Sequence, residues 1–217
     1  MTAGSRWGRL RAAAFLWVIA SAALGCSPDL AIPTSAPGTK PPGSPLSGPA
    51  SSPGAATSPG VSTDAPAPLI AIDPALLALL PDKVGDLPLV ASPDAAADPA
   101  SDPELAKTAQ SIAVALAVDQ ATGDLVVASV VKLKPGVYSD EFFRDWRDSF
   151  DEGVCGQAGG VTGNAQATMA GRTVYIGTCE GGVHTYHAYL EQPNVIISLN
   201  SVGEGRLGET LMESLPD

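Results

Sequence analysis

Residues 165 to 200 read AQATMAGRTVYIGTCEGGVHTYHAYLEQPNVIISLN, and the parsing of this stretch decides the fold. β-Branched and aromatic residues gather in four runs, at about 165–169, 172–179, 183–190 and 194–200, separated by Ala170-Gly171, Gly181-Gly182 and Gln192-Pro193-Asn194. Strand formers bounded by such short turn signals read as hairpins. Connections of two or three residues leave consecutive strands no choice but to run antiparallel.

Working outward, the chain after the last strand carries Leu207, Leu211 and Leu215 at i, i+4 and i+8, an amphipathic helix stopped by Pro216. Before the first strand lies a glycine-rich loop, Gly156 to Gly163. No Lys-Ser or Lys-Thr follows that loop and no strand-to-helix switch surrounds it, so it reads as a connector and not as a phosphate cradle. Further upstream, Ser139 caps a helix with Asp140 and Glu141 in its first turn, where acid meets the positive end of the dipole. Phe142, Phe143, Trp146 and Phe150 form a stripe at helical spacing, which predicts a core anchor, while Arg144, Arg147, Asp148 and Asp151 fill the other side.

Two β-branched runs, Ile112 to Val118 and Asp124 to Leu133, read as a further hairpin. Asp73-Pro74 and Asp102-Pro103 each open a short helix, the first ending before Pro81 and the second carrying Leu105, Ala106, Ala109 and Ile112 on one face. Between them, residues 81–100 read as extended or looped, because Pro81, Pro88, Pro93 and Pro99 break any period. The expectation is an α+β fold: an antiparallel sheet of about five to six strands with the aromatic-rich helix and the C-terminal helix packed on it, and the segment 69–111 around its edge.

Residues 1–25 read as an export signal. Arg6, Arg9 and Arg11 precede an uncharged run from Ala12 to Leu24 that is short of the roughly 20 apolar residues a membrane span needs. The run ends Ala22-Ala23-Leu24-Gly25-Cys26, which resembles the bacterial lipobox. That resemblance implies cleavage before Cys26, a diacylglyceryl thioether on its sulfur, attachment to the cell membrane and an extracytoplasmic domain. Ala23 departs from the Leu usual at that position.

Residues 27–66 are rich in Pro, Ser, Gly, Thr and Ala, with too little apolar surface to offset the entropy of ordering. They read as a tether of roughly 35 Å average span if freely coiled. The folded domain is expected over 67–217. Signal and tether together hold four basic residues (Arg6, Arg9, Arg11, Lys40) and two acidic ones (Asp29, Asp64). The 12 basic and 23 acidic residues of the chain therefore fall to 8 and 21 in the domain. Such acidity excludes nucleic acid as a partner held by phosphate neutralisation.

With Cys26 lipidated, Cys155 and Cys179 remain, an even pair in an oxidising compartment, and they read as one disulfide. His184 and His187 are three apart on a strand and face opposite sides, so they do not make a metal site. No Gly-x-Ser-x-Gly elbow is present, and Asp140, Glu141, Asp148, Asp151 and Glu152 read as a solvated helix face. No cofactor is expected. The polar and aromatic decoration of the strands, Tyr175, His184, Tyr186, His187 and Tyr189, is the candidate contact surface, on the expectation that one sheet face meets solvent.

Three segments, Leu79 to Leu89 (LLPDKVGDLPL), Gly171 to Tyr175 (GRTVY) and Leu211 to Pro216 (LMESLP), carry a resemblance to secreted domains of uncharacterised lipoproteins from GC-rich bacteria. The order of elements is similar to the PsbP-like group, which implies a sandwiched α+β fold and transfers no active site. The functional expectation is a non-catalytic, lipid-anchored binding or accessory protein of the cell envelope, with a protein or small-molecule ligand. An extracytoplasmic hydrolase using His184 or His187 with an acidic partner, and a structural envelope protein, are the alternatives.

Overall fold

The computed structural model describes residues 68–216; the signal, Cys26 and the tether lie outside the described residues. The described chain opens with strand β1 (Ala71–Ile72) and a 3-10 helix (Pro74–Leu79). Asp73 caps that helix, its carboxylate accepting from the Ala75 N–H at 3.1 Å. Pro74 stands in the first turn, where a missing N–H costs nothing.

Residues 81–100 differ from the expected loop. They form the hairpin β2 (Lys83–Val84) and β3 (Leu87–Pro88), the short strand β4 (Val90–Ala91) and helix α1 (Pro93–Ala100). Pro93 lies in the first turn of α1 and Pro99 next to its end, so neither breaks the middle, where Ala95, Ala96 and Ala97 favour helix. The next helix, α2 (Leu105–Thr108), is a single turn and does not reach Ile112. Strand β5 (Ala109–Val118) takes over because its alternating side chains enter two different cores and its backbone pairs with β6 (Leu125–Leu133). That ladder overrides the weak helical period.

Helix α3 (Asp140–Cys155) begins where the capping signal places it, with Ser139 Oγ accepting from the Phe142 N–H at 3.0 Å. Strands β7 (Val161–Met169), β8 (Arg172–Cys179), β9 (His184–Leu190) and β10 (Val195–Val202) follow as an antiparallel meander, and α4 (Leu207–Glu213) closes the chain.

The main sheet runs β1-β5-β6-β10-β9-β8-β7, with β4 also on β5. It has eight strands where five to six were expected. The excess is β1 and β4, which have two residues each and so no period to read. β1 pairs with β5 in parallel, and the remaining pairs of this sheet are antiparallel. Because β10 inserts between β6 and β9, the hairpin and the meander fuse into one sheet. Helix α3 then carries the chain from the middle of that sheet to its far edge.

Both faces are covered over β5, β6, β10 and β9, with the two expected helices on opposite ones, while edge strand β7 is mostly exposed. On one, Val130, Ile197 and Leu199 of the sheet meet Leu211 and Met212 of α4 and Leu76 of the 3-10 helix. On the other, Ile112, Val131 and Ile196 meet Phe143 of α3, Ala96 of α1 and Leu105 of α2. Of the aromatic stripe only Phe143 is buried, while Phe142, Trp146 and Phe150 are half-buried. Cys155 and Cys179 form a disulfide with Cα atoms 5.0 Å apart, joining the end of α3 to the end of β8.

Candidate functional site

The five residues of the expected contact surface divide between the two faces. Tyr175 pairs with His187 across β8 and β9, and with Tyr189 they point toward α3. Tyr186 points the other way, into the core under α4, and His184 shares its side of the strand. Strand alternation makes this division unavoidable. Tyr189 stacks on Tyr138 at 3.5 Å between centroids and donates its hydroxyl to Asn194 Oδ1 at 2.8 Å. His187 is fully buried.

Around His187 a chain of polar groups crosses from sheet to helix. Its Nε2 lies 2.9 Å from Asp151 Oδ1, and its Nδ1 lies 3.0 Å from Ser198 Oγ. The indole of Trp146 donates through Nε1 to the same Ser198 Oγ at 3.0 Å, and Thr185 donates its hydroxyl to Asp151 Oδ1. An indole nitrogen is only a donor and a carboxylate only accepts, so Ser198 accepts from Trp146, a neutral imidazole turns its one N–H to Asp151, and Nδ1 is left to accept the Ser198 hydroxyl proton. The imidazole then carries its proton on Nε2 and donates to the carboxylate. This arrangement needs a neutral imidazole. Burial supplies one, since it is the largest influence on His187 and holds it below the ordinary imidazole value, against the upward pull of Asp151.

The local sequence explains how the pair fits. Asp151 follows Phe143 by eight residues and precedes Val154 by three, which puts it on the buried stripe of α3. It is therefore not part of the solvated face on which it was expected. Opposite stands Gly177 of β8. A Cβ there would overlap Thr185 Oγ1 and Asp151 Oδ2, so the missing side chain is what admits the carboxylate. Arg147, one turn before Asp151, lies over the Tyr175 ring at 3.6 Å and donates to the Phe143 carbonyl at 3.3 Å.

Among the described residues, clefts open on two sides of α3. A polar one of about 420 Å³ lies between α3 and strands β7 and β8, lined by Arg144, Arg147, Asp148, Asn164, Gln166 and Tyr175, with Asp151 and His187 at its inner end. The other, about 430 Å³, lies between α2 and the first turns of α3. Its wall is Leu105, Val137, Phe142 and Trp146, and its rim carries Glu104, Lys107, Glu141 and Asp145. Trp146 thus serves two purposes: its ring walls the cleft, and its N–H faces inward to Ser198.

The chain matches no protein-family model, no curated protein and no solved structure. Sequence reasoning missed Thr185, Ser198, Leu105 and Val137 as site residues, since they reach their places from separate elements. A signal for Asp151 was present, because an acid on an apolar helical stripe implies a buried partner.

Proposed function

We propose that this protein is a non-catalytic binding module of the bacterial cell envelope, exported by the signal 1–25, held at the membrane by a lipid on Cys26 and set off from it by the tether 27–66. The observation that carries the binding part is the cleft between α2 and α3, whose aromatic and aliphatic wall has the size and composition of a small-molecule site. The lipobox-like run before Cys26 supports the anchoring. Mass spectrometry of native protein is expected to find a diacylglyceryl group on Cys26. A small-molecule thermal-shift screen is expected to find ligands that stabilise the wild type and not Phe142→Asp, which places a charge in the wall. An unlipidated, uncleaved chain would refute the anchoring, and hits that stabilise both proteins equally would refute the site.

One observation favours a second reading, an extracytoplasmic hydrolase: Ser198, His187 and Asp151 are hydrogen-bonded in the order nucleophile, base and orienting acid. The ring nitrogens are used in reverse, with the serine on Nδ1, and the Ser198 side chain is enclosed. Under this reading an acyl-ester panel would be hydrolysed by the wild type and not by Ser198→Ala. Under the binding reading neither protein hydrolyses it.

A further inference from the structure

We infer that the cleft between α2 and α3 takes an organic cation, with an apolar body against Trp146 and Phe142 and a positively charged head toward Glu141 and Asp145. The inference rests on the binding reading above and names its ligand class. Trp146 and Phe142 lie 6.1 Å apart between ring centroids at 45°, two sides of an aromatic corner. Aromatic faces at such a corner attract a cation through their quadrupoles.

The Trp146 ring is also held in place before any ligand arrives. Its only polar atom is committed to Ser198, which is itself fixed by His187 and Asp151. An indole whose N–H faces inward offers a ligand in the cleft π-surface and no donor. Pre-orientation of this kind removes part of the ordering cost of binding.

Charge decides the sign of the head group. Lys107, the one basic residue on the rim, is 2.6 Å from Glu104 and is matched by it. Glu141 has no ion pair among the described residues, and Asp145 has only a loose 3.7 Å contact with Arg144, both side chains about half exposed. The positive end of α3 offsets part of the Glu141 charge, an effect confined to the first turn. Asp145, four residues on and beside Trp146, keeps its charge at the aromatic corner. An anionic ligand would meet both carboxylates; a cationic one is drawn to them and to the rings together.

The test uses the full chain with Trp7→Phe and Trp17→Phe, so that Trp146 is its only tryptophan whether or not residues 1–25 are removed. Phenethylammonium, phenethyl alcohol and phenylacetate are titrated while indole fluorescence is followed. The ammonium ion is expected to bind about tenfold more tightly than the alcohol, with phenylacetate weakest. Glu141→Gln with Asp145→Asn, both exposed on α3, is expected to erase the advantage of the cation while the protein stays folded, with the unfolding temperature lowered only by the small loss of the Glu141 interaction with the helix dipole. If the alcohol or phenylacetate binds as tightly as the ammonium ion, the cation assignment is wrong and the binding site stands. If none of the three perturbs Trp146, both fall.

Discussion

His187 Nε2 sits 2.9 Å from Asp151 Oδ1 inside the layer between α3 and the sheet, with both side chains almost wholly out of solvent. It is a carboxylate matched by a neutral imidazole, a hydroxyl and the space above a glycine, and it fixes where helix and sheet meet. Removing members of this group has unequal consequences.

His187→Ala leaves the Asp151 carboxylate buried with Thr185 as its remaining hydrogen-bond partner, and opens a cavity. It is expected to cost about 3–5 kcal/mol in urea unfolding. Asp151→Asn keeps the shape and removes the charge, and is expected to cost about 1–2 kcal/mol. Equal losses would contradict the assignment of a charged acid and a neutral base.

The pH dependence follows from the lowered pKa of His187. The unfolded chain binds a proton on this imidazole at higher pH than the folded chain does, so stability falls as pH drops below about 6.5 and keeps falling until the folded value is passed. Asp151 and Asp148 oppose the shift, and Arg147 adds to it. Thermal unfolding between pH 8 and pH 5 is expected to show a slope in wild type that is reduced in His187→Gln. Parallel slopes would mean that His187 is not the group responsible.

Gly177→Ala forces a methyl group into Thr185 and Asp151 and is expected to cost about 1–3 kcal/mol. Gly163→Ala on β7 serves as the control, since a Cβ there meets nothing within 4 Å. It is expected to be near neutral. A loss at Gly163 matching that at Gly177 would show that glycine in a strand, and not the close approach, is what matters.

The disulfide closes a loop with a sequence separation of 24 residues. Cys155→Ser with Cys179→Ser is expected to lower stability by about 3–4 kcal/mol on the chain-entropy account. Reductant should lower wild-type stability and leave the double variant unchanged, read by urea unfolding with and without it.

Local chemistry was enough to predict several elements, though not the helical period from Leu105 to Ile112, which strand β5 interrupts. The Ser139 cap, the period of α3, the meander turns at Ala170-Gly171 and Gln192-Pro193-Asn194, and the Cys155–Cys179 pairing were all legible, because each depends on residues close in the chain or on simple counting. Strands β1 and β4 were not, since two residues hold no pattern and pair only where β5 passes beside them. The placement of α3 and α4 on opposite faces was likewise tertiary. So was the meeting of Asp151, Thr185, His187 and Ser198, side chains from α3, β9 and β10. Burying a carboxylate is favourable only when several partners arrive together, and no single segment carries a record of the others. The place of Asp151 on an apolar helical stripe was readable, but only the tertiary structure supplied the partners that make it the centre of the interior polar chain.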